Sequence, residues 1–285
     1  MSAALALAVV AAACFGLALV LTQFGLRHMR AADGALISIP TTALLFWALA
    51  PFVIDFAAFE LIAGAIFAAV GLFFPAAVTL LTYEANQRLG PTVAGALGGT
   101  APLFAALAAV FFLGERPTPL TAAATLAVVA GVAILGWQPA RWPARFLLLP
   151  LAAALLRGLA QVAIKLGLTI WPSAFAASLI GYSASVLSVV ADARLRRGRA
   201  RGRVDRRGAL WFALVGLGNG AAVLSTYAAL ARGTVTLVAP AVASYPLFAL
   251  LLGALLLKEQ RITPRLAAGT TLMIAGIAAL ILGRA

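Results

Sequence analysis

Long apolar runs alternate along this chain with short stretches that are marked by charge, proline or glycine. An α-helix rises about 1.5 Å per residue, so about 20 apolar residues are enough to cross the hydrocarbon core of a bilayer. The runs predict ten spans, at 2–24, 34–54, 59–82, 91–113, 118–136, 146–168, 170–191, 208–231, 235–257 and 264–283. The pattern therefore predicts an all-α integral membrane protein with ten transmembrane helices.

The composition favours the same interpretation. Hydrophobic residues make up 64% of the 285 residues and charged residues only 10%, whereas soluble domains carry about 25% charged residues. The first run, Ser2–Phe24, is interpreted as a span rather than a signal peptide, because it lacks a basic leader segment and no polar domain follows it. The net charge of +13 lies in the predicted loops, so no nucleic-acid partner is expected.

The two halves of the chain repeat each other. The matched segments, 144 residues apart, are Leu81–Ala85 with Ser225–Ala229, Pro102–Ala105 with Pro246–Ala249, and Glu115 with Glu259. We therefore predict one structural unit of two five-helix repeats, residues 1–140 and 141–285. Because each repeat has an odd number of spans, the second enters the membrane in the opposite orientation. Inverted repeats of this kind are typical of secondary transporters.

The basic residues predict the orientation of the chain in the membrane. Cytoplasmic loops are enriched in Lys and Arg. With both termini outside, the inner loops hold 16 of these residues and the outer side holds three. Eight of the 16 lie in Asp192–Gly208, so we expect that segment to be cytoplasmic and both termini to be outside.

Repeated small motifs carry a family resemblance. The residues are Gly16 and Gly158, Thr82-Tyr83 and Thr226-Tyr227, Pro102 and Pro246, Gly114-Glu115 and Lys258-Glu259, and Gly131 and Gly276. In these positions the chain resembles the EamA-type branch of the bacterial drug/metabolite transporter superfamily. Two departures are Phe15, where many relatives have Trp, and Lys258, which replaces the glycine of the first copy.

The resemblance covers nearly the whole chain. It implies a basket of ten helices in a bacterial inner membrane, with a cavity lined by the first, third and fourth helices of each half. The fifth and tenth helices would then be peripheral. Among the members of the superfamily, the chain looks most like the aromatic amino-acid exporters.

A polar stripe in the sixth span is the main candidate for substrate binding. Arg157 lies near the middle of that span, where a charge costs at least about 2.5–3.5 kcal/mol on insertion scales and normally faces a cavity or a partner. Gln161 and Lys165 follow at steps of four and share its helix face. We expect the stripe to face the transport pathway. The alternative is that Lys165 extends to the membrane interface and Arg157 bonds a neighbouring carbonyl.

Other polar or kinked positions extend this prediction. The further candidates for the cavity are Thr100, Asn219, Ser244, Tyr245, Tyr83 and Tyr227. Pro102 and Pro246 are candidates for a gate, because a proline inside a helix frees a carbonyl and permits a kink. Helix packing and anchoring at the membrane interface remain alternatives for all of them. Glu115 and Glu259 follow helices whose dipole they oppose unless paired, which favours a loop-fixing role.

The residues available for metal binding and for catalysis limit the function classes that fit this sequence. The sequence has one His and one Cys, His28 and Cys14, which leaves no set of ligands for zinc or an iron–sulfur cluster. No paired carboxylates are placed for acid–base catalysis. We therefore expect no cofactor, no metal and no enzymatic activity. All eight acidic residues fall at helix ends or in loops, so proton coupling through a membrane-embedded carboxylate is not expected, with Glu84 as the residual candidate.

These observations predict a secondary transporter that exports small metabolites, above all amino acids, by alternating access. Its partners would be the small-molecule substrate and the lipid bilayer, and a monomer is plausible. One alternative is a carrier of anionic or phosphorylated metabolites, which needs more than one cation in the cavity. An alternative of another class is a non-transporting membrane protein or a membrane-embedded enzyme.

Overall fold

The computed structural model describes residues 3–55, 58–89, 97–136, 143–195, 205–257 and 264–282, and these residues are almost entirely helical. The helices are α1 Ala3–Leu26, α2 Ala31–Val53, α3 Leu61–Phe73, α4 Ala76–Leu89, α5 Ala101–Leu113, α6 Pro119–Gly136, α7 Ala144–Ile170, α8 Ala174–Leu195, α9 Arg206–Arg232, α10 Val235–Val242, α11 Tyr245–Leu257 and α12 Pro264–Leu282. Within the described ranges, eight stretches are long and apolar enough to cross a membrane, and two shorter apolar helices lie at 101–113 and 119–135. The chain is an all-helical, multi-pass membrane protein.

Two predicted spans each consist of two helices in series. The third span breaks between α3 and α4 at Phe74-Pro75. Phe74 has extended backbone angles, φ −121° and ψ 121°, as expected of a residue before proline. The ninth span breaks between α10 and α11 at Ala243-Ser244. The number of ten spans remains a prediction, because the described helices include eight stretches of spanning length.

The two candidate gate prolines do not kink a helix from within. Pro102 is the second residue of α5 and Pro246 the second residue of α11. In the first turn of a helix the missing N–H costs nothing, since that group has no acceptor inside the helix. Each proline thus follows a break inside its predicted span, and a role for the two prolines in gating stays a prediction. The chain bends two residues before each proline, at Thr100 and at Ser244.

The two halves make the same helix contacts with their roles exchanged. Gly16 of α1 packs on α11, where an added Cβ would lie 2.7 Å from the nitrogen of Ala249. Gly158 of α7 packs on α5, where an added Cβ would lie 2.7 Å from the nitrogen of Ala105. Each glycine thus lets two helix backbones approach more closely than any side chain would allow.

A second exchanged pair joins the second helix of each half to the other half. Thr42 of α2 donates from Oγ1 to the carbonyl of Gly216 in α9 at 2.6 Å. Ser185 of α8 donates from Oγ to the carbonyl of Gly71 in α3 at 2.7 Å. In a bilayer, close packing and such interhelical hydrogen bonds drive helix association, because lipid is as apolar as the side chains.

The fifth helix of each half, α6 and α12, packs chiefly against its counterpart. Gly131 of α6 lies against Met273, and Gly276 of α12 lies against Val128. The remaining helices surround the centre of the molecule. Their most deeply buried side chains, less than 2% exposed, include Leu230, Val235 and Val238, at the junction of α9 and α10. The end of the helix bundle at the junction of α9 and α10 is tightly packed at these three residues.

Candidate functional site

A cavity of about 360 Å³ lies between the two halves. Pockets for small-molecule ligands measure about 300–1,000 Å³, so a small metabolite fits. The first half contributes lining residues from α1, α2, α4 and α5, and the second half contributes residues from α7 to α11. On α1 the lining runs from Phe15 to Thr22 and on α2 from Ala35 to Thr42. The cavity therefore lies toward the α1–α2 turn, and Leu230, Val235 and Val238 at the junction of α9 and α10 lie outside its lining.

Arg157 is the charged group of this cavity. It lies at the midpoint of α7, which spans Ala144–Ile170. Among the lining residues that the structure describes, it is the only charged one. Its guanidinium forms no hydrogen bond or ion pair with any described residue. The neighbouring Gly158 holds this turn of α7 against α5, which fixes the position from which the arginine extends.

Gln161 lies one helical turn after Arg157 and also lines the cavity. Its Oε1 atom is buried and has no hydrogen-bond partner within the described part of the chain. Leaving a buried acceptor without a partner costs about 1–3 kcal/mol. The amide thus contributes an unused acceptor beside a cation that can only donate.

Four other predicted residues are also brought into the lining. They are Asn219, Tyr227, Tyr245 and Pro102. Tyr245 contacts Phe15 edge to face, with ring centroids 6.4 Å apart. These residues come from α9, α11 and α5, so tertiary packing unites candidates that are far apart in the sequence.

Lys165, a predicted cavity residue, lies elsewhere. Its ammonium donates to the carbonyls of Leu230 at 2.6 Å and Gly233 at 2.8 Å. It therefore satisfies the C-terminal end of α9, where a cation is favourable because the last carbonyls are free and the dipole is negative. The prediction that Lys165 lines the cavity is wrong, since it is not among the lining residues.

Four other predicted site residues are not among the described lining residues, and two of them donate hydrogen bonds from their hydroxyl groups to nearby backbone carbonyls. Ser244 is fully buried and donates to the carbonyl of Ala241 at 2.6 Å. Thr100 donates to the carbonyl of Leu97 at 2.6 Å in the turn before α5. Pro246 is absent from the lining, although its counterpart Pro102 is present. The side chain of Tyr83 lies outside the described residues.

The comparisons with known proteins match this architecture. The EamA-like transporter family matches residues 2–137 and again residues 144–282. The chain belongs to the EamA-like transporter family. The two matches correspond to two copies of the family's repeat, which agrees with the exchanged glycine contacts at α1 and α7.

Solved structures show that the fold of this transporter extends over the whole chain. One solved structure, described as "Crystal structure of protein", is similar to this chain with a TM-score of 0.77 and 21% sequence identity. The similarity covers 100% of this chain and 98% of that one. No curated protein matches the sequence.

The transporter's cavity also contains residues that the sequence analysis did not single out. Thr42, Tyr182 and Phe212 all line it. Thr42 and Tyr182 are polar residues near the middle of the predicted second and seventh spans, a signal that could have found them. Phe212 lies near the start of an apolar helix and fills the space beside Gly25 and Gly34, so no sequence pattern indicates its role.

Proposed function

We propose that this EamA-family transporter exports small metabolites, amino acids foremost, by alternating access between two inverted five-helix repeats. The observation that carries the proposal is Arg157, which lines the cavity without a partner among the described residues and is the only charge of the described lining. An uncompensated charge at this depth is costly, and a substrate with a carboxylate would offset it.

Opposite orientation of the two repeats is supported by two contacts of Gly233 at one end of the helix bundle. Gly233, which follows α9, packs against Ala4 at the start of α1. The carbonyl of Gly233 also accepts a hydrogen bond from Lys165, near the end of α7. The beginning of the first helix in one half therefore lies beside the end of the first helix in the other half. Such antiparallel first helices are what an inverted repeat requires.

The proposed location is a bacterial inner membrane, with both termini outside and the segment Asp192–Gly208 in the cytoplasm. The supporting observation is the excess of Lys and Arg that this orientation gives the inner loops, 16 against three. Part of the segment, residues 196–204, lies outside the described residues. In this orientation the packed end at Lys165 and Gly233 faces outward, so the cavity lies toward the cytoplasm.

Transport by this mechanism needs no proton-binding carboxylate. The described lining contains no Asp or Glu. Glu84, the residual candidate, instead forms an ion pair with Arg88 one turn later in α4, at 2.7 Å. We therefore propose that the substrate moves down its own gradient or exchanges with a second solute.

A carrier of phosphorylated or multiply charged anions is the second candidate. The unpaired Arg157 favours an anionic group, but a dianion requires at least one more cation. Lys165 is the predicted second cation, but its ammonium donates hydrogen bonds to two backbone carbonyls and does not line the cavity. This arrangement favours a substrate with one negative group over one with two.

Flux measurements in proteoliposomes test the proposed function. Purified protein is reconstituted and loaded in turn with labelled amino acids, sugars and organic anions. We expect saturable flux of amino acids that Arg157→Ala abolishes or reduces at least about tenfold, as expected when a charged hydrogen-bonding partner is removed. The matched control is Arg145→Ala in the same helix, because Arg145 is exposed and stacks on Phe146. No flux of any solute would favour a non-transporting membrane protein.

A further inference from the structure

Two polar groups on one face of α7 have no hydrogen-bond partner in the described part of the chain. The guanidinium of Arg157 lines the cavity without a hydrogen bond to any described residue. The Oε1 atom of Gln161 is buried and also lacks a partner in the described part of the chain. Buried polar groups in native proteins are nearly always hydrogen-bonded, so each exception calls for an explanation. The Oε1 atom of Gln161 is such an exception, and it lies one turn from the half-buried guanidinium of Arg157 on the same cavity wall. Together they point to a ligand that completes both.

The spacing of the two groups restricts that ligand. Side chains four residues apart on a helix have Cβ atoms about 5–6 Å apart. Helical side chains lean toward the N-terminus, so the amide of Gln161 leans toward Arg157. The pair thus places a donor-only cation within a few ångströms of a free acceptor. Its complement is an anionic group with a hydrogen-bond donor next to it.

We propose that Arg157 and Gln161 together recognise the α-amino carboxylate group, with Arg157 binding the carboxylate and Gln161 Oε1 accepting a hydrogen bond from the ammonium. In an α-amino acid these two groups are attached to one carbon atom, so a single molecule bridges the two side chains. The inference rests on the proposed function and deepens it, because it names the chemical feature by which the site selects its substrate.

The same geometry rejects analogues that lack either group. A carboxylate without an amine leaves Gln161 Oε1 unpaired, as it is in the unliganded protein, so this ligand lacks the hydrogen bond that an ammonium would add. An amine without a carboxylate leaves Arg157 uncompensated and is repelled by it. A second cation for a larger anion is not available from Lys165, whose ammonium is bonded to Leu230 and Gly233.

The rest of the lining indicates what the substrate's own side chain is. Phe15, Phe74, Phe212 and Tyr245 contribute aromatic rings to the cavity. Aromatic rings bury large apolar surfaces and pack edge to face with other rings. The site therefore fits an α-amino acid with an apolar or aromatic side chain, and phenylalanine is a suitable probe.

The experiment compares phenylalanine with hydrocinnamate, which lacks the amine, and with phenethylamine, which lacks the carboxylate. Each compound competes with labelled phenylalanine for exchange in proteoliposomes of wild-type protein and of Gln161→Met, which keeps the side-chain length but loses the acceptor. In the wild type we expect both analogues to compete at least about tenfold more weakly than phenylalanine, the effect of a lost hydrogen bond to a charged group. In Gln161→Met we expect phenylalanine to bind about tenfold more weakly and hydrocinnamate to be unchanged.

A second variant, Gln161→Glu, provides an independent readout. Its carboxylate would pair with Arg157 and accept from the ammonium, so we expect preference to move from hydrocinnamate toward phenethylamine. Equal competition by phenylalanine and hydrocinnamate in the wild type would overturn the inference even if neither variant folds. Equal weakening of both compounds in Gln161→Met would also overturn it, because the residue would then act only on structure.

Failure of this inference is distinguishable from failure of the proposed function. If the wild type carries no amino acid at all, amino-acid export is wrong. If it carries phenylalanine and hydrocinnamate competes equally, export stands and only the recognition by Gln161 is wrong. Flux of other amino acids with no flux of phenylalanine would overturn the assignment of an apolar or aromatic side chain.

Discussion

The carboxylate of Glu115, which follows α5 in the first half, caps α10 in the second half. Its Oε1 accepts from the backbone nitrogen of Val235 at 2.7 Å, and its Oε2 accepts from that of Thr236 at 2.9 Å. These two nitrogens belong to the first turn of α10, where N–H groups have no acceptor within the helix and a negative charge is favourable. Because Lys165 binds the end of α9 beside this cap, one end of the helix bundle is held closed by two charged side chains.

Removing the cap should therefore loosen the closed end. We predict that Glu115→Ala lowers the free energy of unfolding by about 1–2 kcal/mol, the usual effect of losing an N-cap. It should also expose Val238, which is 0% exposed in α10 and lies outside the cavity lining. The measurement is labelling of Val238→Cys by an impermeant maleimide, in a Cys14→Ser background that is free of other cysteines. Arg116→Gln is the control, and equal labelling in all variants would contradict the prediction.

Lys165 should affect structure and leave substrate affinity unchanged. Lys165→Met keeps the apolar part of the side chain but removes the donor to Leu230 and Gly233. We predict a lower Tm in detergent and a KM for amino acids close to that of the wild type, because the residue does not line the cavity. The check is a KM measurement in proteoliposomes beside a thermal unfolding curve. A KM raised tenfold with an unchanged Tm would place the ammonium at the substrate instead.

The close approach of α7 to α5 predicts a large effect of one methyl group. An added Cβ at Gly158 would lie 2.7 Å from the nitrogen of Ala105 and 3.0 Å from the Cβ of Phe104. We predict that Gly158→Ala destabilises the protein by about 1–3 kcal/mol, the usual cost of overpacking. Gly98→Ala is the matched control, because no atom lies within 4 Å of an added Cβ there. Equal thermal stability of the two variants would contradict the prediction.

Uncoupled transport predicts no accumulation driven by a pH gradient. Arginine does not titrate at physiological pH, and the described cavity lining holds no carboxylate. An imposed pH gradient across proteoliposomes should therefore leave the final amino-acid distribution unchanged. Concentrative uptake that the gradient alone drives, and that Glu84→Gln abolishes, would refute the uncoupled mechanism.

The orientation predicted from the basic residues can be checked with reporter fusions. A phosphatase that is active only outside the cytoplasm should be inactive when fused after Arg203 and active when fused at the C-terminus. The reason is the distribution of Lys and Arg, which resist translocation across the membrane. Activity from the fusion after Arg203 would reverse the proposed topology.

The sequence by itself determined the membrane character of the chain, its two repeats and its family. Apolar runs and paired motifs are local, so they can be read without knowing which helices touch. The depth of Arg157 followed in the same way from its place in the sixth span, and the structure places it at the midpoint of α7. Helix periodicity also put Gln161 and Lys165 on the same face.

Only the tertiary structure decided which of those polar groups the protein itself satisfies. Lys165 shares a helix face with Arg157 but lies about two turns further along α7. There the carbonyls at the end of α9 are within reach and accept hydrogen bonds from its ammonium. Ser244 and Thr100 likewise turn to carbonyls of their own chain segment. A single helix carries no information about which neighbour will offer an acceptor, because that depends on packing between residues distant in sequence. In the packing that glycines such as Gly16 and Gly158 permit, Arg157 and Gln161 line the cavity and have no partner among the described residues.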